Sequence, residues 1–151
     1  MISRTRPTEC FVYITLPGHI GAVIAGRFQL MANRTGTPVG RFIYGRSYLD
    51  RREAVEIDPV ELRLARGRTY ETTAMKGVFG ALRDAGPDSW GRAVIERHVG
   101  KSPLGELDYL LESPDDRAGA LGFGLGRSHQ HPAGNSTRHS NSKSCRRSPT
   151  G

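Results

Sequence analysis

An α+β fold is what this sequence of 151 residues predicts, and three observations predict it. Strand-forming segments come first, between Cys10 and Tyr44. Apolar residues recurring every three or four positions follow, between Met75 and Leu111. A short glycine-punctuated strand closes the pattern near Leu121. Strands grouped ahead of helices, rather than alternating with them, favour a sheet backed by helices over a wound parallel sheet. The expectation is a small β-meander packed against about three helices over residues 10–124, with a disordered polar tail over 125–151.

The strands are read from composition and alternation. Cys10 to Leu16 is rich in β-branched and aromatic residues and ends at Pro17-Gly18. Ala22 to Ala32 and Val39 to Tyr44 follow, separated by turn chemistry from Asn33 to Pro38. Phe28, Leu30 and Ala32 alternate with Arg27, Gln29 and Met31, as on a half-buried sheet. The stretch AVEIDPVELRL also alternates, but its phase slips at Asp58-Pro59. A proline has no N–H for a ladder, so a bulge or a chain turn is expected there.

The helices are read from period. Met75, Val78, Phe79 and Leu82 form one predicted amphipathic stripe. Asp88 is placed to cap a second helix, in which Trp90, Val94 and Ile95 share a face and Gly100 gives a stop. Trp90 reads as a core or interface anchor, with the core favoured. Ser102-Pro103 reads as a cap and first-turn proline for a third helix, with Leu104, Leu107, Leu110 and Leu111 on one side. A turn at DDRAGAL and a short strand complete the domain.

Charge and cysteine usage exclude several classes. Residues 1–126 carry 17 Lys/Arg against 15 Asp/Glu, so the overall net charge of +7 comes mostly from the tail. That tail has Arg127, Arg138, Lys143, Arg146 and Arg147 but no acid and no aromatic residue. A nucleic-acid surface gathers basic residues on a structured face, with aromatics for bases; specific nucleic-acid binding is not expected. Cys10 reads as a buried thiol and Cys145 lies in the tail, so no disulfide framework is expected and a cytoplasmic location fits. No run approaches the length of a membrane span, and no membrane partner is expected.

Two apparent sites read more simply as structure. Gly119, Gly122, Gly124 and Gly126 suggest a phosphate-cradling loop, yet glycines at this spacing also mark a strand end where backbones approach closely. His129, His131, His139 and Cys145 lack paired ligand spacing and a fold to set tetrahedral geometry. No metal site is expected. His98 reads as a surface or capping residue, and Asp115, Asp116 and Arg117 as a turn with a local ion pair.

Three motifs in order carry a family resemblance. They are Pro87-Asp88-Ser89-Trp90-Gly91, Asp108-Tyr109-Leu110-Leu111 and Asp116-Arg117-Ala118-Gly119-Ala120-Leu121. Together they resemble the N-terminal subdomain of HipA-type serine/threonine kinases, the toxins of HipBA toxin–antitoxin modules. The upstream run GRFIYGRSYLDRREAVEIDPVEL is similar to the same subdomain, and the resemblance spans Phe11 to Gly124. It implies a structural role for Pro87, Asp88, Trp90, Gly91, Asp108, Tyr109, Leu110, Asp116, Arg117, Gly119, Ala120 and Leu121. It implies no catalytic residue, because in this family ATP and Mg²⁺ are bound by a longer downstream region that phosphorylates proteins such as aminoacyl-tRNA synthetases. A HipB-like antitoxin is the partner it implies. Two readings follow: a non-catalytic fragment of such a kinase, or a stand-alone module that docks an antitoxin or a separately encoded kinase core.

Residues 127–151 contain no Leu, Ile, Val, Phe, Met, Trp or Tyr. Read two bases later, the Cys145 codon gives Leu when the Ser144 codon ends in a pyrimidine. With TCN codons, Ser136, Ser140 and Ser142 each give Phe or Leu. Favourable codons from Gly134 onward yield QFNPTLELEELQAIADR, similar to the FNxTLDLxxLQ run that HipA-type proteins carry after GALGF. The tail is therefore expected to be out-of-frame sequence produced by a frameshift.

Overall fold

The computed structural model describes residues 7–100, 104–113 and 120–126. The tail reading, the Ser102-Pro103 cap and the turn at residues 114–119 lie outside them. Five strands form one antiparallel sheet: β1 (Glu9–Thr15), β2 (Ala22–Ala32), β3 (Pro38–Tyr44), β4 (Thr69–Thr72) and β5 (Leu121–Gly124). Their order is β4-β3-β2-β1-β5. Four helices accompany them: α1 (Arg46–Leu49), α2 (Gly80–Asp84), α3 (Ser89–Val99) and α4 (Glu106–Leu111). The predicted α+β class and opening meander are observed.

The β1–β2 ladder pairs Cys10 with Phe28 and Val12 with Gly26, then slips so that Tyr13 meets Ile24. Ala25, left over at this bulge, is fully buried, and its carbonyl accepts from the Gly45 N–H at 2.9 Å. The β2–β3 turn is closed by Asn33, whose side-chain oxygen accepts from the Thr35 and Thr37 N–H groups at 3.0 and 2.9 Å. One face of the sheet supplies Val12, Phe28, Phe42 and Phe123 to the core, joined by Tyr48 from α1, Leu82 from α2, and Leu107 and Leu110 from α4.

The stretch between α1 and β4 is a loop, where alternation predicts strands. Asp58 accepts from the Val60 and Glu61 N–H groups at 2.7 and 3.1 Å, which turns the chain at Asp58-Pro59 and leaves no ladder. Three tyrosine hydroxyls hold this loop to the sheet and to α1. Tyr44 accepts from the Ile57 N–H and donates to the Leu62 carbonyl; Tyr48 does the same with both backbone groups of Val55; Tyr70 donates to the Arg63 carbonyl. The strand at Thr69–Thr72 follows and is absent from the sequence reading.

The helix predicted over Met75 to Leu82 is a correction. Val78, Phe79 and Leu82 are buried, but Met75 is 54% exposed. Met75, Lys76 and Gly77 have φ of 48°, 60° and 80°, a left-handed turn no α-helix contains. The cause is contact with β3. A Cβ on Gly40 would stand 1.8 Å from the Gly77 carbonyl oxygen, and one on Gly77 would stand 2.9 Å from the Gly40 nitrogen. Two glycine backbones touch here, and the preceding residues bend to bring them together. A helix forms only from Gly80, where the Glu61 carboxylate takes the first N–H at 2.9 Å.

Candidate functional site

The described residues of the first two motifs lie at the starts and along the lengths of α3 and α4, and most serve local structure. Asp88 caps α3 as expected, its carboxylate accepting from the Gly91 N–H at 2.7 Å. Gly100 ends the helix in the left-handed conformation. Asp108 reaches back to the Gly105 N–H at 3.0 Å and caps α4. Pro87, Gly91, Tyr109 and Leu110 are buried. The Ala120 carbonyl accepts from the Thr15 N–H at 2.7 Å, and Leu121 packs against the core. Asp116, Arg117 and Gly119 lie outside the described residues.

Trp90 is the second correction. It is 75% exposed, and Val94, one turn later, is 44% exposed. Gly91 and Ile95 face inward instead. With the Gly91 and Ile95 side of α3 turned to the domain, Trp90 and Val94 face outward. His98 is exposed, as expected.

An ionic cluster that the motifs do not include locks the two helices. Arg92 donates to both carboxylate oxygens of Glu106, at 3.1 and 2.8 Å, and lies 4.5 Å from the centre of the Tyr109 ring. The Tyr109 hydroxyl donates to Glu96, and Lys76 stands 3.6 Å from Glu106. The bidentate bonds hold the Glu106 carboxyl below its ordinary range and push the Arg92 guanidinium higher. The bond to Glu96 raises the Tyr109 hydroxyl. Sequence reading missed Arg92 and Glu106. The signal available was only that opposite charges flank an apolar stripe on each helix.

The described part of the glycine-rich segment is largely strand. Gly122 and Gly124 are ladder residues of β5, paired with Tyr13 and Phe11. The space a side chain would take at Gly124 is closed by the Tyr13 ring, 3.1 Å from a Cβ there. Asp88 and Asp108 are engaged as caps, Glu106 in an ion pair with Arg92, and Glu96 by the Tyr109 hydroxyl. Beside the start of α3 lies a polar depression of about 490 Å³, lined by Arg83, Asp84, Asp88 and Arg92 among others. The arrangement is a two-helix corner joined by the Arg92–Glu106 pair, with Trp90 and Val94 turned outward.

No helix among the described residues is long and apolar enough to cross a membrane. A family model described as the HipA N-terminal domain matches residues 20–124. No curated protein and no solved structure matches the chain. The match covers the sheet from its second strand, the loop held by the tyrosines and the α3–α4 corner, and this chain belongs to the HipA N-terminal domain family.

Proposed function

We propose that this chain is a non-catalytic member of the HipA toxin–kinase system, a fragment whose folded unit docks and does not transfer phosphoryl groups. The observation that carries the reading is that the described motif residues other than Trp90 are spent on caps and packing, and that the neighbouring Glu106 is taken up by Arg92. Phosphoryl transfer depends on groups clamped around the phosphates and on carboxylates free to hold Mg²⁺. Here Asp88 and Asp108 cap helices and Glu106 is held by Arg92. The test is incubation of the 151-residue protein with ATP, Mg²⁺ and candidate protein substrates, aminoacyl-tRNA synthetases included. No turnover is expected; measurable phosphorylation would overturn the reading.

A second reading is supported by Trp90 and Val94. An outward indole one turn from an outward valine, on a helix fixed by a bidentate ion pair, is the form of an anchor for a partner. The partner is a HipB-like antitoxin or a separately encoded kinase core, bound in the cytoplasm. Titrating each against the protein while following the fluorescence of its one tryptophan tests this. Binding that moves the Trp90 emission to shorter wavelength supports the module; unchanged emission with both partners removes it.

A further inference from the structure

The sheet has two faces, and the helices cover one. Alternation sends Cys10, Val12, Phe28 and Phe42 into the core and turns Phe11, Ile24 and Ile43 to the opposite side. Those three are half-buried and stand outside the core cluster. They floor a depression of about 510 Å³. Arg27 and Arg46 line it, and no carboxylate does.

Among the described residues the charges there are weakly compensated. Arg46 makes no ion pair among the described residues, and Arg27 reaches only Glu9, at 3.9 Å with both side chains about half exposed. By contrast, Arg41 and Glu71, directly opposite each other in the β3–β4 ladder, form a closed pair. The chain leaves β5 on the same side, where the Tyr13 hydroxyl donates to the Gly126 carbonyl. The residues that follow hold five Lys/Arg and no Asp or Glu. Their charge has the sign of the rim and does not complement it.

We propose that this open sheet face docks an acidic, apolar segment of a partner protein, with apolar side chains on Phe11, Ile24 and Ile43 and carboxylates on Arg27 and Arg46. Charge complementarity selects the partner, because an apolar floor alone would accept any greasy surface. The surface lies on different elements from Trp90 and does not depend on what docks there.

Methyl-resolved NMR of the full chain tests the proposal. The probes are two capped hexapeptides, one alternating Glu with Leu and one alternating Lys with Leu. The Glu peptide is expected to shift Ile24 and Ile43 and leave Ile95 in place, and to bind less tightly as salt rises. Arg46→Glu should weaken the Glu peptide by about tenfold and strengthen the Lys peptide, with the Ile24 and Ile43 signals of the free protein still at folded positions. No shift at roughly 1 mM peptide, a weak but readily measured range, would overturn the proposal. Equal binding of both peptides, or indifference to Arg46→Glu, would overturn it too.

Discussion

Arg92 on α3 holds both carboxylate oxygens of Glu106 on α4 while its guanidinium covers the Tyr109 ring. Only 25% of the Arg92 side chain and 11% of the Glu106 side chain are exposed. This pair fixes the angle between the helices that carry the family motifs. Glu106→Gln keeps the shape and removes the charge. It should cost about 2 kcal/mol, the range of hydrogen bonds to charged groups, read as a lower urea midpoint. A midpoint equal to that of the parent protein would show that the pair adds nothing.

The same pair predicts an acid response. The Glu106 carboxyl sits below its ordinary value of 4.5 because of the Arg92 hydrogen bonds first and the nearby cations next. A carboxyl depressed in the folded state gives stability that is complete above its unfolded value and is lost as pH falls through the folded value. Thermal midpoints should therefore drop on acidification below pH 4.5, and the drop should be shallower in Glu106→Gln. Parallel curves for the two proteins would count against the linkage.

Gly40→Ala should be among the most damaging single-methyl changes in the domain. The added carbon would fall 1.8 Å from the Gly77 carbonyl oxygen, a backbone atom with nowhere to rotate. Displacing that turn should cost about 3 kcal/mol, the upper range for overpacking. Denaturant unfolding reads this directly.

Met75→Gly should have the opposite sign. Met75 is held at φ 48° and more than half its surface is in water. Glycine adopts this conformation freely, so relief of about 1 kcal/mol is expected, partly offset by the extra freedom glycine gives the unfolded chain. A clear loss of stability would mean that the Met75 side chain contributes more than its exposure implies.

Tyr44→Phe tests the tyrosine staples. The hydroxyl serves both the Ile57 N–H and the Leu62 carbonyl. Its removal leaves a buried acceptor and a half-buried donor without a partner, at about 2 kcal/mol. Hydrogen exchange at Ile57 should accelerate well before global unfolding does. Unchanged protection there would show that the loop is held by other contacts.

Much of this architecture is local and was legible in the sequence. Alternation at Phe28 to Ala32, the Asn33 turn, the Asp88 cap and the Gly100 stop each depend on a few neighbouring residues. These were enough to order strands before helices and to place the first two motifs on α3 and α4. Where the reading failed, the deciding contact came from far along the chain. The three-and-four period from Met75 to Leu82 is equally well produced by a left-handed turn followed by a short helix. Only the approach of Gly77 to Gly40, 37 positions away in sequence, selects between them. The alternation around Asp58 found no neighbouring strand, because Tyr44 and Tyr48 take up the backbone groups a ladder would need.

Trp90 shows the same division most plainly. A helix period gives relative faces but not which face meets the core, and Trp90, Val94 and Ile95 fit one stripe as well as Gly91 and Ile95 fit another. Tertiary packing chose the side of Gly91 and Ile95, and in that packing Arg92 meets Glu106 across the helices. The sequence by itself determined which elements form and in what order. Which surfaces they bury, and so which apolar residues are left facing outward for a partner, was decided by contacts between elements, whose energy no local window contains.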